Sequence, residues 1–134
     1  MNDFYRQAKH NKDFLDSIES NFPDRYYDWK ITVTFYISIH LLKCLAKKRN
    51  HNIGATHEDV SRSLNPRKCS KQVFPFPEWA WNKYSDMLQY SKTSRYDGIS
   101  DEKIVFSAQK KNYQECKKLF SSFCSYMKSN GIVL

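Results

Sequence analysis

Histidine and arginine side chains in this chain could act together on a phosphate group. His57 and Arg62 lie in the segment "THEDVSRSL", His40 lies in "ITVTFYISIHLL", and Arg95 lies in "YSKTSRYDG". A histidine titrates near neutral pH and can accept or donate a proton, and an arginine can stabilise the charge on phosphate oxygens. Proton transfer at a phosphate requires both groups close together. Any such chemistry therefore depends on how the fold places these residues.

The His57 segment has the pattern of a short helix beside the most basic part of the chain. Thr56 is a suitable N-cap, and Asp59 stands three residues later, as in an imperfect capping box. His57 and Arg62 are five residues apart, about 140° around a helix, so they do not share one face. The segments "KKR" and "RKCSK" flank this helix and favour contact with phosphates. His57 is therefore either an ordinary first-turn residue or a residue that binds or reacts.

Arg95 stands where the preceding helical pattern calls for an apolar residue. The same helical face carries Trp81, Tyr84, Leu88 and Ser91. A partly buried arginine requires a carboxylate partner, and Asp28 is the natural one, although Asp24 or Asp97 could replace it. Arg95 therefore either closes one end of the core through an ion pair or, with Tyr96 beside it, lines a binding site.

His40 lies on an apolar line of the second predicted helix. The line runs through Trp29, Val33, Tyr36 and Cys44. This pattern predicts that this side of the helix faces the core. Because buried polar groups are hydrogen-bonded, we expect a core histidine bonded to a tyrosine or to the backbone. The alternative is that His40 acts as a general base.

The composition is typical of one folded, helical domain. The 134 residues are 40% hydrophobic and 16% aromatic, with only three glycines, which suits a chain with a packed core. We therefore expect a single domain over residues 1–134. The net charge of +8 allows an acidic partner such as nucleic acid. The alternative is a basic surface that serves solubility alone, since the basic residues are spread along the chain.

The cysteines indicate free thiols rather than disulfides or a metal site. No C-x-x-C pair occurs, and Cys44 and Cys116 fall on apolar helical faces, where buried free thiols are usual. This pattern favours a reducing, cytoplasmic setting. Cys69 with His51 or His57 matches no common zinc spacing. The sequence therefore predicts no metal and no cofactor.

The apolar segments give no sign of a membrane protein. The N-terminus is polar and charged from its third residue, which predicts no signal peptide. The longest uncharged apolar run lies between Lys30 and Lys43 and is too short to span a bilayer. We therefore expect a protein that does not enter the membrane.

Hydrophobic periodicity, caps and stop signals predict four long helices and one short one. Their predicted bounds are residues 2–21, 24–48, 56–65, 77–98 and 100–130. The second helix is apolar nearly all round, which predicts a central position. We expect an all-α fold, an up-down four-helix bundle in which the short helix and the aromatic loop after it bridge the second and fourth helices.

The last helix and the aromatic loop carry the clearest packing patterns. The loop contains Phe74 and Phe76, which we expect to pack against the bundle rather than to form a partner surface. In the last helix, two heptad-spaced lines alternate and predict the seam of an antiparallel bundle. They consist of Phe106, Tyr113, Phe120 and Met127, interleaved with Gln109, Cys116 and Phe123.

Three segments together resemble the HEPN superfamily, in particular its small stand-alone members. They are "DWKITVTFYISIHLLKCLA", "THEDVSRSL" and "YSKTSRYDG", and the resemblance covers residues 3–128. It rests on the order of an aromatic-rich central helix, a short His/Arg segment and a later helix that ends in Ser-Arg-Tyr. The resemblance implies a helical bundle, usually a homodimer, of the kind found in RNA-cleaving toxins, defence systems and nucleotidyltransferase partners.

The ribonuclease motif of that superfamily, an arginine followed after four to six residues by a histidine, does not occur in this chain. Only three residues separate Arg6 from His10, one separates Arg49 from His51, and seven separate Arg49 from His57. No catalytic residue can therefore be carried over.

We expect a non-catalytic module, homodimeric, that binds RNA or a protein partner in a defence or toxin–antitoxin context. His57, Arg62, Arg95, Tyr96, His40 and Asp28 are the candidate contact residues. A divergent metal-independent ribonuclease is the first alternative, with His57, Arg62 and Arg95 assembled by a dimer. A purely structural interaction domain is the second.

Overall fold

The computed structural model describes residues 2–96 and 102–134, with the backbone alone at residues 95–96 and 102–106. These residues form five α-helices and no strand, so the all-α prediction is confirmed. The helices are α1 (Asp3–Asn21), α2 (Tyr27–Lys48), α3 (His57–Leu64), α4 (Glu78–Tyr96) and α5 (Glu102–Ser129).

The start of α3 follows its local capping signal, whereas the start of α2 does not; the predicted end of α4 at Gly98 and start of α5 at Ser100 lie outside the described residues. The Thr56 side chain accepts a hydrogen bond from the Asp59 amide at 3.1 Å, and the Asp59 carboxylate accepts one from the Thr56 amide at 3.2 Å. The capping box of α3 is therefore complete, although its acidic residue is Asp rather than Glu. The start of α2, predicted at Asp24, is wrong by three residues. Tyr26 adopts a left-handed conformation (φ 59°, ψ 38°), which a right-handed helix cannot include.

Contacts between helix ends show the directions of the long helices. The Asn2 side chain, which caps α1, donates to the Cys44 carbonyl near the end of α2 at 3.4 Å. Arg49, at the end of α2, donates to the Pro75 carbonyl just before α4 at 3.1 Å. Trp79 in the first turn of α4 packs edge-on against Tyr126 near the end of α5, with ring centroids 5.5 Å apart. Successive long helices therefore run in opposite directions.

Helix α2 lies at the centre of this helical bundle and contacts α1, α4 and α5. One side of α2 is buried throughout, at Ile31, Phe35, Ile39 and Leu42. The predicted core-facing line that contains His40 is partly wrong. Val33 and Cys44 on it are buried, but Trp29 is 61% exposed and Tyr36 is 46% exposed. The helices that pack on α2 leave this part of its surface uncovered, which a periodic pattern cannot reveal.

A buried lysine joins three helices at one end of the bundle. The Lys30 side chain is fully buried, and its Nζ donates to the Phe22 carbonyl at 2.6 Å and lies 4.0 Å from the Glu19 carboxylate. The rings of Tyr27 and Tyr113 lie 5.0 and 5.8 Å from the same Nζ. The Tyr113 hydroxyl also donates to Glu19. A buried ammonium is tolerable only with such partners, so this group ties α1, α2 and α5 together.

The aromatic loop and the α5 seam pack largely as predicted. Phe74 and Phe76 are buried, with ring centroids 6.4 Å apart at right angles. Of the predicted seam, Tyr113, Cys116, Phe123 and Met127 are buried, and Phe120 and Gln109 are partly buried. Phe106 lies outside the described side chains. All four cysteines are free, and Cys44 and Cys116 are buried, as the sequence predicts.

Candidate functional site

His57 begins α3 and forms a hydrogen bond with a buried tyrosine of α4. Its Nδ1 lies 2.8 Å from the hydroxyl of Tyr84, which is fully buried. The two rings have centroids 5.7 Å apart, and the Phe35 ring of α2 lies 6.4 Å from the imidazole. The Thr56 cap fixes the first turn of α3 and therefore the position of the imidazole. The pair joins the short helix to the core.

The His57–Tyr84 pair is neutral near pH 7. Burial lowers the pKa of His57, and the charges of Lys92 and Lys68 lower it further. Burial raises the pKa of Tyr84 well above its ordinary value. Both changes disfavour an ion at either ring. The arrangement can hold a proton between two neutral groups.

Arg62 is directed away from His57 and serves the cap of α3. It is exposed, and its guanidinium binds the Asp59 carboxylate at 2.5 Å. Hydrogen bonds from the Thr56 backbone and then from Arg62 lower the pKa of Asp59 to about 2. Asp59 is thus shared between the capping box and Arg62. No hydrogen bond or ion pair links Arg62 to His57 among the described residues, as their angular separation predicts.

His40 has a buried ring nitrogen without a partner. The side chain is partly buried, and its Nδ1 has no hydrogen-bond partner within the described part of the chain. The predicted hydrogen bond to a tyrosine or to the backbone is therefore not formed at this atom. Burial, and next the charge of Lys43, lower the pKa of His40. A neutral imidazole is the form that this environment favours.

The remaining candidates cannot be joined into one site. Arg95 and Tyr96 belong to the last turn of α4, and their side chains lie outside the described residues, as does Asp97. Asp28 is partly buried in the first turn of α2 and forms no ion pair with a described side chain. The predicted Arg95–Asp28 pair thus remains a prediction. Tyr84, which pairs with His57, was placed on a core face by its spacing and not recognised as a site residue.

A basic surface surrounds the end of α2 and the loop after α3. Residues 43–71 contain eight Lys and Arg residues but only two acidic residues. Two of the eight, Arg62 and Arg67, form ion pairs, the latter with Glu78 at 3.1 Å. The other six define the basic surface: Lys43, Lys47, Lys48, Arg49, Lys68 and Lys71.

Several cations of the basic surface are held by neutral carbonyl groups. Lys43 donates to the Ala55 carbonyl at 3.0 Å, and Lys48 donates to the Asn130 carbonyl at 2.9 Å. Arg49 donates to the Pro75 carbonyl, and its guanidinium lies 4.9 Å from the centroid of the Phe74 ring. These contacts position the charges without neutralising them.

The lysines of α1, in contrast, pair with acidic residues. Lys9 binds Asp13 at 3.1 Å, and Lys12 binds Asp16, each one helical turn away on the same helix. Such exposed pairs cancel charge locally. The lysines of α1 therefore add little uncancelled positive charge, unlike the six cations of the basic surface.

A second exposed region, the aromatic surface, lies where α1 meets α2. It is a cleft of about 440 Å³ lined by Phe14, Ile18, Phe22, Tyr26 and Trp29. The four aromatic residues are between 42% and 61% exposed. All five lining side chains are uncharged. A contiguous exposed patch of this kind marks an interaction site more often than a free surface.

The residues considered for zinc have other contacts. The Cys69 thiol donates to the Asn65 carbonyl at 2.9 Å, and His51 packs on the Phe74 ring at 5.7 Å. Within residues 2–96 and 102–134, no three His, Cys, Asp or Glu side chains are grouped so that they could hold a metal ion.

Comparison of the chain with protein-family models, with curated proteins and with solved structures finds no match. In the described part of the chain, no helix has both the length and the apolar character that crossing a membrane requires.

Because His40 and His57 are neutral in the folded chain, we expect the free energy of unfolding to fall in mild acid. His40 and His57 have lowered folded-state pKa values, so below about pH 6.5 the unfolded chain takes up more protons than the folded chain. Stability is then full above about pH 6.5 and decreases as the pH falls through the lowered pKa values. Urea unfolding at about pH 7.5 and pH 5 measures this loss.

The double variant His40→Gln/His57→Gln should show a smaller loss between these pH values than the natural chain. The matched control is His10→Gln, which changes an exposed histidine of α1. An equal loss in the double variant would assign the acid sensitivity to other groups.

Proposed function

We propose that this chain is a HEPN-like four-helix bundle with one additional short helix, which binds RNA as a homodimer without cleaving it. The resemblance of its three segments to small HEPN proteins supports the family, and the alternating directions of the long helices fit the fold. A role in defence or in a toxin–antitoxin pair follows from the same resemblance.

The basic surface is the observation that carries the proposal of RNA binding. Among the described side chains, no acidic residue contacts its six cations, and several of these are held in place by backbone carbonyls. Phosphate groups supply the missing negative charge, and release of the counterions bound to RNA favours the contact. RNA is preferred over duplex DNA because the HEPN proteins that this chain resembles include RNA-cleaving toxins.

The geometry favours binding over cleavage. Cleavage without a metal requires a proton shuttle and a cation beside the same phosphate. His57 is engaged by Tyr84, Arg62 is engaged by Asp59, and no arginine contacts the His57 ring in the described part of the chain. The divergent ribonuclease therefore remains the alternative that an activity assay decides.

Removal of two exposed lysines should weaken RNA binding about tenfold. The variant is Lys68→Gln/Lys71→Gln, and the measurement is fluorescence anisotropy with a mixed single-stranded RNA between about 50 and 200 mM salt. Each lysine that contacts a phosphate adds about one unit to the slope of the logarithm of the binding constant against the logarithm of the salt concentration. The size of this slope should therefore fall by about two in the double variant. The matched control, Lys110→Gln/Lys111→Gln, removes the same charge from exposed positions of α5 and should change affinity little.

Two results would contradict this proposal. Equal weakening by both double variants would mean that only net charge matters and that the basic surface is not the site. Cleavage of the RNA by the natural chain, lost in His57→Ala, would replace the binding module with the ribonuclease.

We also propose that the aromatic surface joins two copies of the chain. Its four aromatic side chains leave on the order of 400 Å² exposed, about half of the ~800 Å² that each partner buries in a standard interface. An isologous contact can use one patch on both copies, and the uncharged lining buries no ion. RNA is disfavoured here, because residues 13–28 contain five acidic residues and one basic residue.

Trp29→Glu should convert the dimer to a monomer. Two-fold symmetry would bury two unpaired carboxylates in the contact, a cost that such an interface cannot offset. Sedimentation velocity measures the change, and circular dichroism checks the fold. The control is Val73→Glu, at a residue 39% exposed in the loop before α4. A natural chain that sediments as a monomer at high micromolar concentration would refute the contact.

A further inference from the structure

We infer that the cleft between the start of α1 and the segment joining α2 to α3 binds a phosphate monoester, such as the 5′-phosphate at an RNA end. The cleft has a volume of about 290 Å³ and is lined by Phe4, Lys43, Lys47, His51 and Asn52, with small or apolar neighbours. The proposal that this phosphate belongs to RNA rests on the function proposed above. The proposal that the cleft binds a phosphate monoester rests on the cleft alone.

The described lining of the cleft contains two lysines and no carboxylate. Lys43, Lys47 and His51 all face it, and none of the described lining residues is acidic. Lys47 lies 5.9 Å from the centroid of the Phe4 ring, a contact that holds its position and leaves its charge uncancelled. The nearby lysines of α1 show the other arrangement, since each has an aspartate one turn away. Two uncompensated ammonium groups in one concave space are a site for an anion.

Lys43 is the cation that an anion would stabilise most. It is partly buried, and burial lowers its pKa, a change that the charge of Asp59 opposes. Its hydrogen bond goes to the neutral Ala55 carbonyl at 3.0 Å. A partly desolvated ammonium without an anion in contact raises the free energy of the folded state. A bound phosphate would remove this cost.

The floor of the cleft is formed before any ligand arrives. Asn50 is in the left-handed region (φ 62°), and Gly54 has φ 92°. The Asn52 side chain accepts a hydrogen bond from the Gly54 amide at 2.8 Å, and Ile53, which lies between these two residues, is buried. A backbone fixed in this way loses little conformational entropy when a ligand binds.

The charge of the cleft matches a chain end better than a continuing backbone. A phosphate monoester carries about two negative charges at pH 7, whereas a backbone diester carries one. Two lysines face the cleft, so a monoester balances them. The concave shape also accepts a terminal group more easily than a strand that must enter and leave.

The test compares ligands that differ only in the terminal phosphate. One RNA carries a 5′-phosphate and the same RNA carries a 5′-hydroxyl, and a nucleoside monophosphate with its nucleoside serves as the free pair. Titration calorimetry with the natural chain should give at least about tenfold tighter binding for the phosphorylated member of each pair. The preference should weaken as the pH falls below about 6, where the doubly charged monoester takes up one proton and keeps a single negative charge.

Lys43→Gln and Lys47→Gln, made separately, should each remove most of this preference. Lys43→Gln should also unfold no more easily than the natural chain without phosphate, because it removes an uncompensated cation. Lys47 is exposed, so its replacement tests the site even if Lys43→Gln does not fold. The matched control Lys110→Gln should keep the full preference.

The outcomes separate this inference from the proposed function. Equal affinity for both members of each pair, with RNA still bound, overturns the phosphate site and leaves RNA binding intact. Selective binding of the free monophosphate by a chain that does not bind RNA keeps the site and overturns the proposed function. Preference for the 5′-phosphorylated RNA, lost in both lysine variants, supports both.

Discussion

Replacement of Lys30 by alanine is expected to lower the free energy of unfolding by about 3 kcal/mol, the cost of breaking a buried ionic group. The side chain is fully buried and links Phe22, Glu19 and two tyrosine rings. Alanine would leave a cavity, the Phe22 carbonyl without its donor and the Glu19 carboxylate without its cation. For a domain of this size the melting temperature should fall by roughly 10 °C.

Lys30→Met separates the loss of charge from the loss of volume. Methionine retains most of the aliphatic length but cannot donate to the Phe22 carbonyl. A double-mutant cycle with Glu19→Gln isolates the contribution of the carboxylate, which is about one-third exposed and therefore partly screened by water. Urea unfolding of the four proteins gives the coupling energy.

The matched control for Lys30 is Lys110→Ala, which removes the same side chain from an exposed position of α5. We expect a change within about 0.5 kcal/mol there. If Lys30→Ala unfolds within that same range, the buried lysine is not what ties the three helices together.

Gly54→Ala is the second variant with a large expected effect, about 3 kcal/mol of destabilisation. Gly54 has φ 92°, which an L side chain rarely adopts. An added Cβ would lie 2.2 Å from the Cβ of Asp59, an atom close to the backbone that cannot turn aside. Asp59 would have to move, and the capping box with Thr56 and the ion pair with Arg62 would be disturbed.

Gly131→Ala is the informative comparison for Gly54. Gly131 has a similar φ of 83°, but its added Cβ would clash with the Nζ of Lys48, the far end of a flexible side chain. The destabilisation by Gly131→Ala should be about half as large as that by Gly54→Ala. Thermal unfolding measures both. Equal losses would show that backbone strain alone decides the effect and that the contact with Asp59 adds nothing.

The sequence was sufficient for the bounds of α3, because its signals are local. Thr56 and Asp59 mark the start of α3 within four residues, and Asn65-Pro66 marks its end. The start of α2 was missed because a tyrosine rarely adopts the left-handed backbone conformation, and nothing in the sequence around Tyr26 predicts it.

The parts that were missed depend on contacts between distant residues. Lys30 counts as polar in any periodic pattern, and its burial follows from Glu19 on α1 and Tyr113 on α5. Trp29 and Tyr36 belong to an apolar line, but a line shows only that a face can be buried, not that a neighbour covers it.

In the candidate site, too, local spacing was predictable from the sequence and contacts between distant residues were not. The spacing of His57 and Arg62 correctly predicted that they point apart. The partner of His57 could not be predicted, because Tyr84 lies 27 residues away and only the packing of α3 on α4 brings the two rings together. The hydroxyl of a buried tyrosine requires a hydrogen-bond partner. This requirement is the one signal in the sequence that could have marked Tyr84 as a candidate site residue.

The placement of the two exposed regions on α2 sets a distance for any assembly. Trp29 lies near the start of this helix and Lys47 near its end, and at 1.5 Å per residue they are roughly 27 Å apart along the axis. Two copies joined at their aromatic surfaces would hold their cationic ends far from each other. A short oligonucleotide would then occupy each end independently, and only a strand long enough to bridge both would gain avidity.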